Sequence, residues 1–113
     1  MKSDLSSKHC EACEGIGAAL NPDQIKQLMP QLAGEWQVER DSQAIKKRFS
    51  FKNFYETMAF VNAVAWIANN ENHHPDLELG YNYCQVLFTT HALNGLSHND
   101  FICAAKIDDL LRK

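Results

Sequence analysis

The chain has 113 residues, 45% apolar and 22% charged, with a net charge of −3. This is enough for one globular domain with a real core and too little for two. The acidic balance argues against direct nucleic-acid binding, and no apolar run reaches the roughly 20 residues of a membrane helix. Met1-Lys2-Ser3-Asp4-Leu5 shows no hydrophobic signal region. A cytoplasmic protein with reduced cysteines is therefore expected.

Residues 1–20 have no sustained periodicity and read as a flexible arm, leaving 21–113 as the folded domain. The arm holds His9-Cys10-Glu11-Ala12-Cys13, a CxxC beside a histidine. Structural zinc takes four ligands, usually as two such pairs. Cys84 and Cys103 stand alone in apolar segments, so no metal is expected here.

Asn21-Pro22-Asp23-Gln24 has the residues of an N-cap, a proline at the first helical position and a capping box. Ile25, Leu28, Met29 and Leu32 share one helical face, and Pro30 should end or kink this helix. Trp36 and Val38 alternate with polar residues as a short strand. Arg40-Asp41-Ser42-Gln43 then reads as a turn. Ile45, Phe49 and Phe51 make a second, half-buried strand, placed at a sheet edge because Lys47 interrupts its apolar side.

The longest helix runs from Asn53, with Glu56 three residues on, to about Asn70. Phe54, Met58, Val61, Ala65 and Ala68 share one face, and Phe60, Val64 and Ile67 widen it. That arc exceeds what one sheet face demands, and Tyr55 and Trp66 lie beyond it, which suggests a subunit interface. The helix must stop before Pro75, so His73 and His74 sit at its C-terminal end.

Leu77, Leu79 and Tyr81 then form a strand, followed by Cys84, Val86, Phe88 and Thr90 alternating with Gln85, Leu87, Thr89 and His91. The period of two places His91 opposite the apolar set, free for chemistry. Ser97-His98-Asn99-Asp100 is a capping box opening a last helix with a Cys103, Ile107 and Leu111 stripe. The order is α-β-β-α-β-β-α. Paired strands predict an α+β fold, a four-stranded antiparallel sheet with helices on one face.

Three histidines and nearby acids lie within about thirty residues, at junctions between elements. Imidazole is the side chain best suited to proton transfer near neutral pH. A three-histidine zinc site would compete, but no HExxH-type spacing supports it. Asp100 completes a helix cap whatever else it does.

Glu71-x-His73-His74-Pro75, Tyr81-Asn82, Thr90-His91 and Gly95-Leu96-Ser97-x-x-Asp100 together resemble the signature of the pterin-4a-carbinolamine dehydratases. The likeness runs from about residue 21 to the end and includes Phe49-Ser50-Phe51-Lys52-Asn53-Phe54. It implies loss of water from the 4a-hydroxytetrahydropterin left after aromatic hydroxylation, giving the quinonoid dihydropterin as a step in recycling the pterin of an aromatic amino acid hydroxylase. No metal or redox cofactor is implied. By matching positions, His73 is the principal acid, His91 the second imidazole and His74 the residue that orients the pterin, while Asp100 steadies His91 or the hydrogen bonds of the site. Glu71, Asn69, Pro75 and Thr90 are the implied substrate-binding neighbours.

Many members carry Glu where this chain has Asn69, four residues before His73 and hence over the same helical face. The resemblance further implies a homotetramer built as a dimer of dimers. A hydroxylase or transcription-factor partner would go with it, since animal relatives also act as non-enzymatic dimerisation cofactors. Binding of partner helices is therefore the alternative to enzyme activity.

Overall fold

A computed structural model describes residues 4–11 and 17–111. The elements are α1 (Pro22–Leu28), β1 (Gln37–Glu39), β2 (Ala44–Ser50), α2 (Phe54–Glu71), β3 (Asp76–Leu79), β4 (Tyr83–Phe88) and α3 (His98–Leu110). Short 3-10 turns lie at Asp4–Ser7, Met29–Gln31 and His91–Leu93. The α+β order expected from the sequence is the order found. The sheet is antiparallel throughout, with strands side by side as β1-β2-β4-β3.

Helix starts follow local chemistry. The Asn21 side chain accepts from Gln24 N–H while Gln24 reaches back to Asn21 N–H, a complete capping box with Pro22 at the first turn. Ser97 and Asp100 form a second box. Asn53 caps α2, but Glu56 Oε1 accepts from Lys52 N–H, so that box is only half made. Pro30 lies in the 3-10 turn that follows α1, where the α-helical ladder has already stopped.

The core lies between the sheet and α2 and α3. Ile45, Phe49, Cys84, Val86 and Phe88 point inward from β2 and β4, and Phe60, Val64, Ile67, Phe101, Ala104 and Ile107 meet them. Each large apolar side chain contributes about 1.5–3 kcal/mol on burial. Lys46, Arg48, Tyr83 and Gln85 occupy the far face, with the Arg48 guanidinium 3.9 Å above the Tyr83 ring. Gly80 turns β3 into β4, where a Cβ would come within 2.3 Å of the Tyr83 ring.

The structure corrects three expectations about packing. β2 is central rather than an edge. Lys47 does sit on its inner side, but its Nζ lies 3.0 Å from Asp108 Oδ1 of α3, and Asp108 also accepts from Trp36 Nε1–H and Ala33 N–H. A buried ion pair with extra hydrogen bonds replaces solvent as the answer to the charge. Second, the buried face of α2 centres on Thr57, Phe60, Val64, Ile67 and Glu71, whereas Phe54 and Ala65 are exposed and Met58 and Val61 half-buried.

Third, loose packing does not describe residues 4–11. Leu5 is 1% exposed within the core cluster, and Lys106 Nζ donates to Ser6 O from α3. A lone leucine without periodicity gives no sequence sign of such docking. The CxxC motif falls partly outside the described residues, at Cys13.

Candidate active site

Helix α2 ends because Asn72 adopts the left-handed conformation, φ 52° and ψ 42°. Asparagine tolerates this region better than most residues. The N–H groups of Asn72 and His73 both donate to Ala68 O. The turn swings His73 inward, where it is 7% exposed, and leaves His74 outside.

Inside, His73 Nε2 lies 2.6 Å from Asp100 Oδ1, and Asp100 is 0% exposed. A buried carboxylate must be fully hydrogen-bonded, and this one is. Thr90 Oγ1–H and Ser97 N–H both donate to Oδ2, at 2.8 and 2.9 Å. With its proton given to Asp100, Thr90 Oγ1 accepts from Ser97 Oγ–H at 2.8 Å. The His73 ring lies parallel to Phe88, 6° apart in plane and 5.8 Å between centroids. An ionised partner at Nε2 fixes the N–H there, so neutral His73 keeps its lone pair on Nδ1.

His74 Nε2–H donates to Asn69 Oδ1 at 3.1 Å. The expected pairing of Asn69 with His73 through helical spacing is thus corrected, because the left-handed turn at Asn72 ends the helix between them. The alternation that placed His91 also fails, since β4 stops at Phe88 and Thr89 and Thr90 are both buried. His91 instead opens a 3-10 turn next to Thr90 and is exposed, and its ring has no hydrogen-bond partner among the described residues. Asp100 holds His73; no bond joins it to His91 among the described residues.

The Glu71 and Thr90 side chains bond to protein partners. Glu71 Oε2 lies 2.9 Å from His9 Nδ1 and 3.7 Å from Lys106 Nζ, and Oε1 accepts Cys10 N–H at 2.8 Å. Burial alone would raise its pKa, but the Cys10 N–H, His9 and Lys106 together hold the carboxyl below its ordinary value. The Thr90 hydroxyl is buried and serves Asp100. Pro75 is half-buried and leads the chain into β3. Ser97 and Phe88 belong to the site more closely than their sequence roles, cap and core, suggested; no local signal joins Phe88 to His73.

Concave parts of the surface lie elsewhere, one beside Ala33, Lys47 and Asp108 and another beside Phe54, Met58 and Tyr81. A third, beside His9, His98 and Asn99, does hold histidines, but none of the three is lined by His73, His74, His91 or Asp100, and the buried acid–imidazole pair is the stronger pointer to chemistry. Among the described residues no three His, Cys, Asp or Glu side chains are grouped to hold a metal, and no helix is long and apolar enough to cross a membrane.

The family model described as Pterin 4 alpha carbinolamine dehydratase matches residues 18–110. The chain belongs to this family. A Legionella pneumophila (strain Corby) protein provisionally named pterin-4-alpha-carbinolamine dehydratase is 78% identical over 111 residues, covering 98% of each chain. A Nitrosospira multiformis protein with the same provisional name is 59% identical, over 96% of this chain and 94% of its own. A solved Brucella melitensis structure, described as a transcriptional coactivator/pterin dehydratase, superposes with a TM-score of 0.77. It is 29% identical and covers 81% of this chain and 97% of its own.

Proposed function

We propose that the protein dehydrates 4a-hydroxytetrahydropterin to the quinonoid dihydropterin, and so recycles the pterin of an aromatic amino acid hydroxylase. The observation that carries this reading is the buried His73–Asp100 pair at the end of α2. The reaction needs an acid to protonate the departing 4a-hydroxyl and a base to accept the N5 proton. With Nε2 committed to Asp100, His73 exchanges protons at Nδ1, and the carboxylate fixes the orientation of the ring. His73–H⁺ gives its Nδ1 proton to the hydroxyl, which leaves as water. His91, exposed beside Thr90, takes the N5 proton. His74, held by Asn69, orients the pterin ring. Acid–base assistance of this kind contributes typically 10²–10⁴ in rate.

The test is dehydration of 4a-hydroxytetrahydropterin by the purified protein in a stopped-flow instrument. Turnover above the buffer rate, unchanged by chelators, is expected. Activity lost to chelation and restored by zinc would contradict the reading.

A second reading is favoured by the outer face of α2, where Tyr55 is 89%, Trp66 68% and Phe54 47% exposed. Such a surface suits protein contacts, and the Brucella relative is described as a coactivator as well as a dehydratase. A co-regulator that binds partner helices without turning over pterin is the form this alternative takes. Self-association through the same helix, as a homotetramer, is compatible with both.

A further inference from the structure

The docked arm brings two thiols together. Cys10 Sγ lies 3.5 Å from Cys103 Sγ and 3.7 Å from Asn99 O. Cys10 is half-buried on an irregular segment, and Cys103 is fully buried on α3. The backbone is pinned on both sides of Cys10. Glu71 takes the His9 ring and the Cys10 N–H. Asn99 Oδ1 accepts Glu11 N–H at 2.9 Å, and Asn99 Nδ2 donates to Glu11 O at 2.7 Å. These contacts hold the sulfurs adjacent before any bond forms, which makes their reaction intramolecular.

We propose that Cys10 and Cys103 close to a reversible disulfide, locking the arm onto α3, when the protein meets an oxidised low-molecular-weight thiol of the glutathione class. The Cys10 thiolate attacks one sulfur of the small disulfide. That S–S bond breaks, and one small thiolate leaves and takes up the proton Cys10 gave to solvent. Cys103 then loses its proton, and its sulfur attacks Cys10 Sγ of the mixed disulfide. The second small thiolate departs with a proton. Two protein thiols are oxidised to one disulfide, and one small disulfide is reduced to two thiols.

The sulfurs must close from 3.5 Å to about 2.0 Å. Rotation about the Cys10 Cα–Cβ bond on an irregular segment can supply that movement. The hydrogen bond shared with Cys10 and burial both push the Cys103 thiol up. Cys10 therefore makes the first attack, and the second step limits the rate. Cys13, three residues along the chain, is the chemical rival.

The experiment incubates the full chain with glutathione disulfide, alkylates free thiols after denaturation and cleaves before aspartates. Cleavage isolates residues 100–107 with Cys103 and residues 4–22 with Cys10 and Cys13. Mass spectrometry should find these two peptides joined, and the link should vanish on reduction. Cys13→Ser should keep the link, and Cys103→Ala added to Cys13→Ser should leave the small thiol attached to Cys10. Alkylated Cys103 in the oxidised parent, with Cys10 joined to Cys13 or still carrying the small thiol, would overturn the proposal. That parent measurement decides even if Cys103→Ala does not fold.

Discussion

Asp100 Oδ1 sits 2.6 Å from His73 Nε2 across 27 residues of sequence, and the same carboxylate caps α3. One residue therefore fixes a helix start and the orientation of an imidazole. Asp100→Asn keeps the shape and removes the charge, so turnover should fall while the fold survives. Exchanging the charged acceptor for an amide oxygen weakens the cap bond, at a cost of about 0.5–2 kcal/mol. Steady-state rates beside a urea titration separate the two effects. Unchanged turnover in Asp100→Asn would leave the carboxylate with the cap alone.

His74 and Asn69 form a separate pair on the surface. His74→Ala should mainly raise KM, since an orienting residue contributes to binding more than to proton transfer. Asn69→Glu replaces an amide oxygen by a carboxylate that can accept the same N–H, so activity should stay level or rise. A folded Asn69→Glu protein without turnover would assign the amide a role of its own.

Much of this arrangement was legible in the sequence, and the legible part was local. The caps at Asn21, Asn53 and Ser97 are read from neighbours three residues apart. The alternation in β4 is read from a period of two. What escaped depends on distant partners. Lys47 looked like an edge residue because Asp108 lies 61 positions away. The bond of Glu71 to the arm has no local signal because His9 lies 62 positions away. His91 is exposed as expected but for another reason, since the strand pattern continues past the point where the backbone leaves the sheet.

Glu71 predicts an acid-sensitive arm. Its carboxyl is held below the ordinary value of 4.5 in the folded chain. A depressed folded value stabilises the protein above the unfolded value, and that stability is lost as pH falls through the folded one. Thermal midpoints should therefore drop below about pH 4.5 more steeply in the parent than in Glu71→Gln. Parallel acid profiles would remove Glu71 as the arm's anchor.

Lys47 and Asp108 predict an asymmetry. Their side chains are 11% and 5% exposed, and Trp36 shares the carboxylate. Asp108→Ala strands a buried ammonium and should cost about 3–5 kcal/mol. Lys47→Met, which leaves Asp108 bonded to Trp36 and Ala33, should cost less. Urea unfolding of both variants gives the comparison, and equal losses would contradict it.

The exposed rings of Trp66 and Tyr55 on α2 predict self-association. Leaving such area wet costs roughly 25 cal/mol per Å², and symmetric pairing is the common remedy. Light scattering should report a homotetramer that Trp66→Glu or Tyr55→Glu shifts toward dimers. A monomer in the parent at micromolar concentration would end this proposal.

The most direct measurement compares stopped-flow dehydration of 4a-hydroxytetrahydropterin by the parent and by His73→Ala at matched concentrations of folded protein. Proton exchange at His73 predicts a parent rate well above buffer and a loss of about 10²-fold or more in the variant. Equal rates in the two proteins would contradict the assignment of catalysis to the His73–Asp100 pair.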